Sequence, residues 1–81
     1  MKEINIKTNK RLVGRSAVEL MQAFTPFKGE IYLELENRHI SVKSLLGILS
    51  AGIEPGDELR FTVMNDNEAD AALQIFKEKL G

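Results

Sequence analysis

The sequence predicts a single two-layer α+β domain: a four-stranded antiparallel sheet with three helices on one face, in the order βαββαβα. Two observations predict this open-faced sandwich. Apolar residues recur at every second position in four short segments, as in strands with one buried face, and at every third or fourth position in the segments between and after them, as in helices. With 81 residues, 43% of them hydrophobic, the chain can form one small core, so residues 1–81 are expected to be one domain.

Composition excludes several classes of function. The 11 basic and 12 acidic side chains nearly cancel, so we expect neither direct nucleic-acid binding nor membrane binding. The absence of cysteine excludes disulfides, thiolate metal sites and thiol catalysis. The amino-terminal residues alternate in polarity and contain no apolar run of signal-peptide or membrane-spanning length, so a cytoplasmic protein is expected.

The first strand and the first helix follow from a change of period. Residues 2–7 alternate isoleucine with polar residues, which predicts a strand. A helical stripe follows, and its members are Ala17, Leu20, Met21 and Phe24. Ser16 is predicted to cap this helix in a capping box with Glu19, and Pro26 and Gly29 are predicted to end it.

The second and third strands are predicted to form a hairpin. Their inward-facing residues are Ile31, Leu33, Leu35, Ile40 and Val42. Asn37 is predicted to take the left-handed position of the turn. The same alternation turns His39, the only histidine, away from the core, and a lone histidine does not make a metal site.

A short helix, a fourth strand and a final helix complete the domain. The segment SLLGILSAG (44–52) predicts a short helix with Ser44 as its N-cap and Gly52 at its end. Inward-facing residues of the fourth strand are Leu59, Phe61 and Val63. The final helix is predicted to begin at an Asn67 cap, and its apolar stripe is Ala69, Ala72, Leu73, Phe76 and Leu80.

Two stretches of the sequence resemble the family of the histidine-containing phosphocarrier protein, HPr. KSLLGILSAGI (43–53) is similar to the family's regulatory segment, in which a lysine and a phosphorylatable serine precede two apolar residues, a glycine, two more apolar residues, a serine and a glycine turn. The family's active centre reads apolar residue, histidine, alanine, arginine, proline, alanine. The same positions here read Leu12, Val13, Gly14, Arg15, Ser16 and Ala17.

The resemblance implies the HPr fold without the phosphocarrier chemistry. The histidine position is Val13, which has no lone pair for a phosphoryl group, so no catalytic residue is expected. Ser16 replaces the family's proline, and Arg15 and Ser16 remain as candidate contacts for a phosphate or another anion. By resemblance, this is a non-enzymatic HPr-like protein of the sugar phosphotransferase system, similar to catabolite-repression HPr paralogues, with no cofactor and no metal.

The resemblance also implies protein partners. Ser44 would be phosphorylated by an HPr kinase-type serine kinase, and the partner would be a catabolite-control transcription factor or a metabolic enzyme that binds a monomer or weak dimer. The helical stripe turns Ile48 inward, leaves Leu45 and Leu49 outward and puts Leu46 near the boundary. The expected partner interface consists of Val13, Lys43, Leu45, Leu46 and Leu49.

Two other functions remain open from the sequence. One is a phosphocarrier that uses an acceptor other than histidine at position 13. The other is a ferredoxin-like module that binds a small ligand, although the sequence offers no glycine-rich phosphate loop or metal cluster in its favour.

Overall fold

The computed structural model describes residues 1–81 and confirms the predicted order of elements. These are β1 (Lys2–Lys7), α1 (Arg15–Phe24), β2 (Ile31–Leu35), β3 (Arg38–Ser41), α2 (Leu45–Ala51), β4 (Glu58–Val63) and α3 (Ala69–Leu80). The four strands are antiparallel in the spatial order β1-β4-β2-β3, so β1 and β3 form the two edges of the sheet. None of the helices is long and apolar enough to cross a membrane.

Strand register separates an apolar face of the sheet from a polar one. Ile4, Phe61 and Leu33 are aligned in one row across β1, β4 and β2, and they lie on the face that contributes to the core. On the opposite face, Tyr32 stacks on the exposed ring of His39 with centroids 4.6 Å apart. The structure thus confirms an open-faced sandwich with His39 on its uncovered side.

A cluster of three phenylalanine rings joins the helices to the sheet. The Phe76 ring from α3 stacks on Phe61 of β4 at a centroid separation of 3.8 Å and meets Phe24 of α1 at 4.9 Å. All three rings are fully buried. The core consists of 17 buried apolar side chains drawn from all three helices, from the central strands β2 and β4 and from the connecting segments. The two layers therefore share one core.

Two helix starts differ from the sequence prediction. Helix α1 has Gly14 at its N-cap with φ at 50°, and no side chain caps it, so the capping box between Ser16 and Glu19 is wrong. The left-handed backbone at Gly14 begins the helix two residues before the predicted first helical residue. Asn65, not Asn67, is the capping asparagine near α3: its side chain accepts the Asn67 N–H and begins a 3₁₀ turn that leads into α3.

The hairpin turn also differs in detail. Glu36, rather than Asn37, carries the positive φ, at 57°. Leu35 and Arg38 are paired across the strands, so the turn has only two residues, and its left-handed position is the first of them, as in a type II′ turn. The register of the hairpin is unaffected, because the turn still begins after Leu35.

The Glu68 carboxylate fastens the turn between α1 and β2 to the start of α3. Its two oxygens accept the backbone N–H groups of Gly29 and Lys28, each at 2.9 Å. The bond from Gly29 and, to a smaller extent, the bond from Lys28 lower the pKa of Glu68 below its ordinary value of 4.5. The positive charges of Lys43 and Lys28 act in the same direction. The ionised carboxylate therefore stabilises the folded state.

Glu68→Gln is expected to destabilise the protein at neutral pH and to have a smaller effect in acid. Because the folded pKa lies below 4.5, the stabilisation is complete above that pH and is lost as the pH falls through the folded pKa. Urea unfolding of both proteins between about pH 7 and about pH 3 measures the difference. The control is Glu78→Gln, since Glu78 accepts only from the Gln74 side chain. A Glu68→Gln effect that is constant over this range would contradict the assignment.

Candidate functional site

The loop that leads to Val13 is fixed by bonds to distant parts of the chain. Thr8 is fully buried, and the neighbouring Asn9 donates its backbone N–H to the Leu80 carbonyl at the end of α3, at 2.8 Å. Further along, the Leu12 N–H donates to the Ile53 carbonyl at 3.1 Å, just beyond α2. The loop therefore holds the residue after Leu12 at a defined position beside the end of α2.

Val13 lies exposed at the amino end of α1. Its side chain is 52% exposed although it is apolar, whereas the neighbouring Leu12 is buried. The structure thus presents an alkyl group at the position where the sequence register expects the family's histidine. A valine side chain can pack against a partner, but it cannot accept a phosphoryl group or a proton.

The Ser16 hydroxyl is engaged by the same loop. Its Oγ accepts the Val13 N–H at 3.1 Å and lies 2.7 Å from the Arg11 carbonyl and 2.9 Å from the Val13 carbonyl. A hydroxyl with one hydrogen is satisfied by these groups. Ser16 therefore closes the loop in front of α1 instead of capping the helix, a role that its position in the sequence does not reveal.

Arg15 and Arg11 differ in whether their charge is paired with a carboxylate of the domain. Arg11 forms an ion pair with Glu54, next to the bond between Leu12 and Ile53. Arg15, the first residue of α1, is exposed and forms no salt bridge. A cation at a helix amino terminus is unfavourable unless an anion is near. Of the two, Arg15 is the one whose charge is not paired within the domain.

Ser44 caps α2 as predicted. Its Oγ accepts the Gly47 N–H at 3.1 Å, and Gly52 ends the helix in the left-handed conformation with φ at 62°. Gly47 also lets α2 approach β3, because a Cβ at this position would lie 2.7 Å from Cγ2 of Ile40. Ser44 itself is exposed, so its hydroxyl is accessible from outside the domain.

The outward face of α2 differs from the prediction. Leu46, expected near the boundary, is 76% exposed, and Leu49 is 41% exposed. Leu45, expected to face outward, is half-buried and packs with Ile48 against the core, so that placement is wrong. Residues three apart share a helix face, which groups Leu45 with Ile48 and Leu46 with Leu49.

We call Val13, Leu46 and Leu49 the apolar patch. The bond from Leu12 to Ile53 places the start of α1 beside the carboxyl end of α2, where Leu49 lies in the last helical turn. Ser44 caps the opposite end of this seven-residue helix, about 10 Å along the axis from its carboxyl end at 1.5 Å per residue. Helix α2 therefore carries two members of the patch and has the exposed serine at its amino end.

The Lys43 ammonium is bonded within the domain. Its ammonium donates to the Phe27 carbonyl at 2.6 Å, in the turn between α1 and β2, and its side chain is half-buried. At the other end of α2, the Arg38 guanidinium donates to the Ser50 carbonyl at 2.6 Å. The sequence alone gives no signal for either contact, since each joins residues at least 12 positions apart.

Ser44→Ala is expected to lower the free energy of unfolding by about 1 kcal/mol, because the Gly47 N–H loses its acceptor. Ser44→Asp is expected to cost less, since aspartate can keep the cap and its charge is favourable at a helix amino terminus. Urea unfolding measures both differences. Ser50→Ala is the control, because it removes a hydroxyl from the same helix that does not cap it. Equal stability of Ser44→Ala and wild type would contradict the capping role.

An open-faced sandwich with an exposed loop at the start of α1 and a serine-capped second helix defines a known class of small phosphotransferase proteins. The model of the family "PTS HPr component phosphorylation site" matches residues 1–78. The chain belongs to this HPr family of the phosphotransferase system, as the sequence motifs indicated.

Individual relatives point to one branch of the family. The chain is 29% identical over 80 residues to the HPr-like protein Crh of Halalkalibacterium halodurans, covering 96% of this chain and 95% of that protein. Among solved structures, the phosphocarrier protein HPr of Bacillus anthracis superposes with a TM-score of 0.87 at 22% identity, covering 99% of this chain and 96% of that one. The chain is thus an HPr-family paralogue of the Crh type, and its fold is that of HPr rather than a ferredoxin-like module.

A third relative forms a domain-swapped dimer. Crh of Bacillus subtilis, a catabolite-repression protein, was found as a dimer with a swapped domain, and it superposes with a TM-score of 0.70 at 21% identity. The superposition covers 100% of this chain and 94% of that chain. At this identity the likeness concerns the fold.

Proposed function

We propose that this protein is a non-catalytic regulator of the phosphotransferase system that docks a partner protein through the apolar patch. The observation that carries the proposal is the exposure of three apolar side chains, Val13 at the amino end of α1 and Leu46 and Leu49 of α2. The bond from Leu12 to Ile53 brings the start of α1 beside the carboxyl end of α2. By the sequence register, that valine occupies the family's histidine position. An alkyl side chain there favours packing against a partner over phosphoryl transfer.

No other side chain of this surface replaces the missing nucleophile. The Ser16 hydroxyl is bonded to the backbone of its own loop, and no histidine or carboxylate contacts it as a base. His39 lies on the uncovered face of the sheet, stacked on Tyr32. These placements support a docking role over a phosphocarrier that uses another acceptor.

Phosphorylation of Ser44 is the proposed gate. The hydroxyl is exposed at the cap of α2, so a phosphate can be added without opening the core. It would bring about −1.5 to −2 charges to one end of the surface that carries Leu46 and Leu49. By resemblance, the kinase is of the HPr kinase type, and the partner is a catabolite-control transcription factor or a metabolic enzyme.

The docking proposal is tested by calorimetric titration of a purified catabolite-control transcription factor with the Ser44-phosphorylated protein. Phosphorylation is expected to strengthen binding, and Leu49→Ala and Leu46→Ala are each expected to weaken it roughly tenfold, since one truncated hot-spot side chain costs at least about 1.4 kcal/mol. The matched control is Met64→Ala, because Met64 is 47% exposed but lies just after β4. Equal weakening by all three substitutions would contradict docking through the patch.

The phosphocarrier alternative is tested separately. Incubation with labelled phosphoenolpyruvate and the upstream phosphotransferase enzyme is expected to leave this protein unlabelled, with a histidine-bearing HPr as the positive control. Stoichiometric label would overturn the non-catalytic assignment. An acid-labile label lost in His39→Ala would identify the histidine as the acceptor, and an acid-stable label lost in Ser16→Ala would identify the serine.

A further inference from the structure

Lys43 precedes the proposed phosphorylation site, but its ammonium is bonded to another part of the domain. Its half-buried side chain ends at the Phe27 carbonyl, with Nζ 2.6 Å from the oxygen, while the Ser44 side chain is exposed and directed to the Gly47 N–H. The ammonium and the serine hydroxyl are therefore bound to different parts of the backbone, the first to the turn after α1 and the second to α2.

The turn that receives Lys43 is itself held in place. The Phe27 ring packs edge-on against the buried Phe24, with centroids 5.1 Å apart. The next two backbone N–H groups, of Lys28 and Gly29, are both bonded to the Glu68 carboxylate. Through its bond to Phe27, Lys43 attaches the start of α2 to a turn that is already fixed to α1 and α3.

The segment between β3 and α2 is held at both of its ends. At its start, Val42 is buried in the core and donates its N–H to the Ile31 carbonyl at 3.0 Å. After Val42, the backbone bonds are local: the Lys43 N–H reaches the Ser41 hydroxyl at 3.2 Å, and the Ser44 N–H reaches the Ser41 carbonyl at 3.0 Å. The Lys43 ammonium is the side-chain hydrogen bond that joins the residue next to Ser44 to the turn after α1.

We propose that Lys43 is a positioning residue for the Ser44 site, fixing the start of α2 to the turn after α1, and that it binds neither the Ser44 phosphate nor the partner. This inference rests on the proposed function in that Ser44 is taken as the phosphorylated residue. A phosphate at Ser44 would have to compete for the ammonium with the Phe27 carbonyl and with the negative charge of the Glu68 carboxylate. The phosphate would then remain exposed.

The first test is the pKa of the phosphate, measured by ³¹P NMR titration of protein with genetically encoded phosphoserine at position 44. A phosphoserine has a second pKa of about 6. Lys43→Met and Lys28→Met remove the same charge, and the exposed Lys28 side chain makes no hydrogen bond. The phosphate pKa values of the two variants are expected to agree within about 0.2 pH unit. A larger rise in Lys43→Met alone would show that Lys43 binds the phosphate and would overturn the inference.

The second test measures positioning directly by amide hydrogen exchange of the unphosphorylated protein. Lys43→Met is expected to speed exchange of the Gly47 N–H roughly threefold or more, because the cap that protects it becomes mobile. Lys28→Met is expected to leave this rate unchanged, and Lys43→Arg, which keeps a charged donor, is expected to restore it. Unchanged Gly47 exchange in Lys43→Met would overturn the inference.

These two readouts need neither kinase nor partner. Absence of docking or of kinase action would contradict the proposed function and leave both measurements as expected. A phosphate pKa that depends on Lys43, or a Gly47 exchange rate that does not, would contradict the inference and leave the docking results intact. The two failures are therefore distinguishable.

Discussion

Phe76→Ala is expected to lower the free energy of unfolding by about 3 to 5 kcal/mol. The side chain is fully buried and stacks on Phe61 at 3.8 Å while also contacting Phe24. Truncation would leave a cavity where α1, α3 and β4 meet, and the surrounding rings cannot close it without losing their own contacts. Urea unfolding with linear extrapolation measures the loss.

The control for this substitution is Phe27→Ala. Phe27 is only half-buried and meets a single ring, that of Phe24, edge-on. Phe27→Ala removes the same atoms from the rim of the core, where water and neighbouring side chains can fill the space. Its loss of unfolding free energy is therefore expected to be smaller. Equal losses for the two variants would show that the central position of Phe76 does not determine its contribution.

Gly47→Ala is expected to destabilise the protein by about 1 to 3 kcal/mol, although alanine favours a helix over glycine by about 1 kcal/mol. The added Cβ would lie 2.7 Å from Cγ2 of Ile40 and 3.1 Å from the Ser44 Oγ. Overpacking of this kind costs roughly 1 to 3 kcal/mol, and displacing the capping hydroxyl costs about 1 kcal/mol more. The helix preference offsets only part of this sum.

Urea unfolding of Gly47→Ala, with Ser50→Ala as the control in the same helix, measures this effect. Ser50 is exposed, and its hydroxyl bonds only within α2, to the Leu46 carbonyl. A Gly47→Ala protein more stable than wild type would mean that helix preference prevails and that α2 does not require close approach to β3. The same variant should also disturb the Ser44 site, since the Cβ meets the serine hydroxyl.

Features with a local cause were predictable from the sequence. Alternation assigned the inward faces of all four strands, because successive side chains of a strand point to opposite sides. Ser44 was predicted as a cap because its acceptor and the Gly47 donor are three residues apart. The missing nucleophile was also evident, since valine at position 13 lacks a lone pair in any fold.

Local sequence patterns gave wrong predictions where backbone conformation or packing against the core determined the structure. Ser16 and Glu19 have the spacing of a capping box, but the left-handed Gly14 moved the start of α1 and left Ser16 inside the first turn. In α2, four apolar side chains surround a short helix, and its period predicted Leu45 rather than Leu46 as the outward partner of Leu49. Packing against the core selected Leu46 and Leu49.

The sequence by itself determined the fold class, the apolar faces, the capped start of α2 and the loss of the family's nucleophile. Each of these depends on residue type or on residues a few positions apart. Only the tertiary structure decided that the Lys43 ammonium is bound to Phe27 and that Glu68 holds Lys28 and Gly29. Those partners are separated by 16 to 40 positions, and chain folding alone brings them within hydrogen-bonding distance.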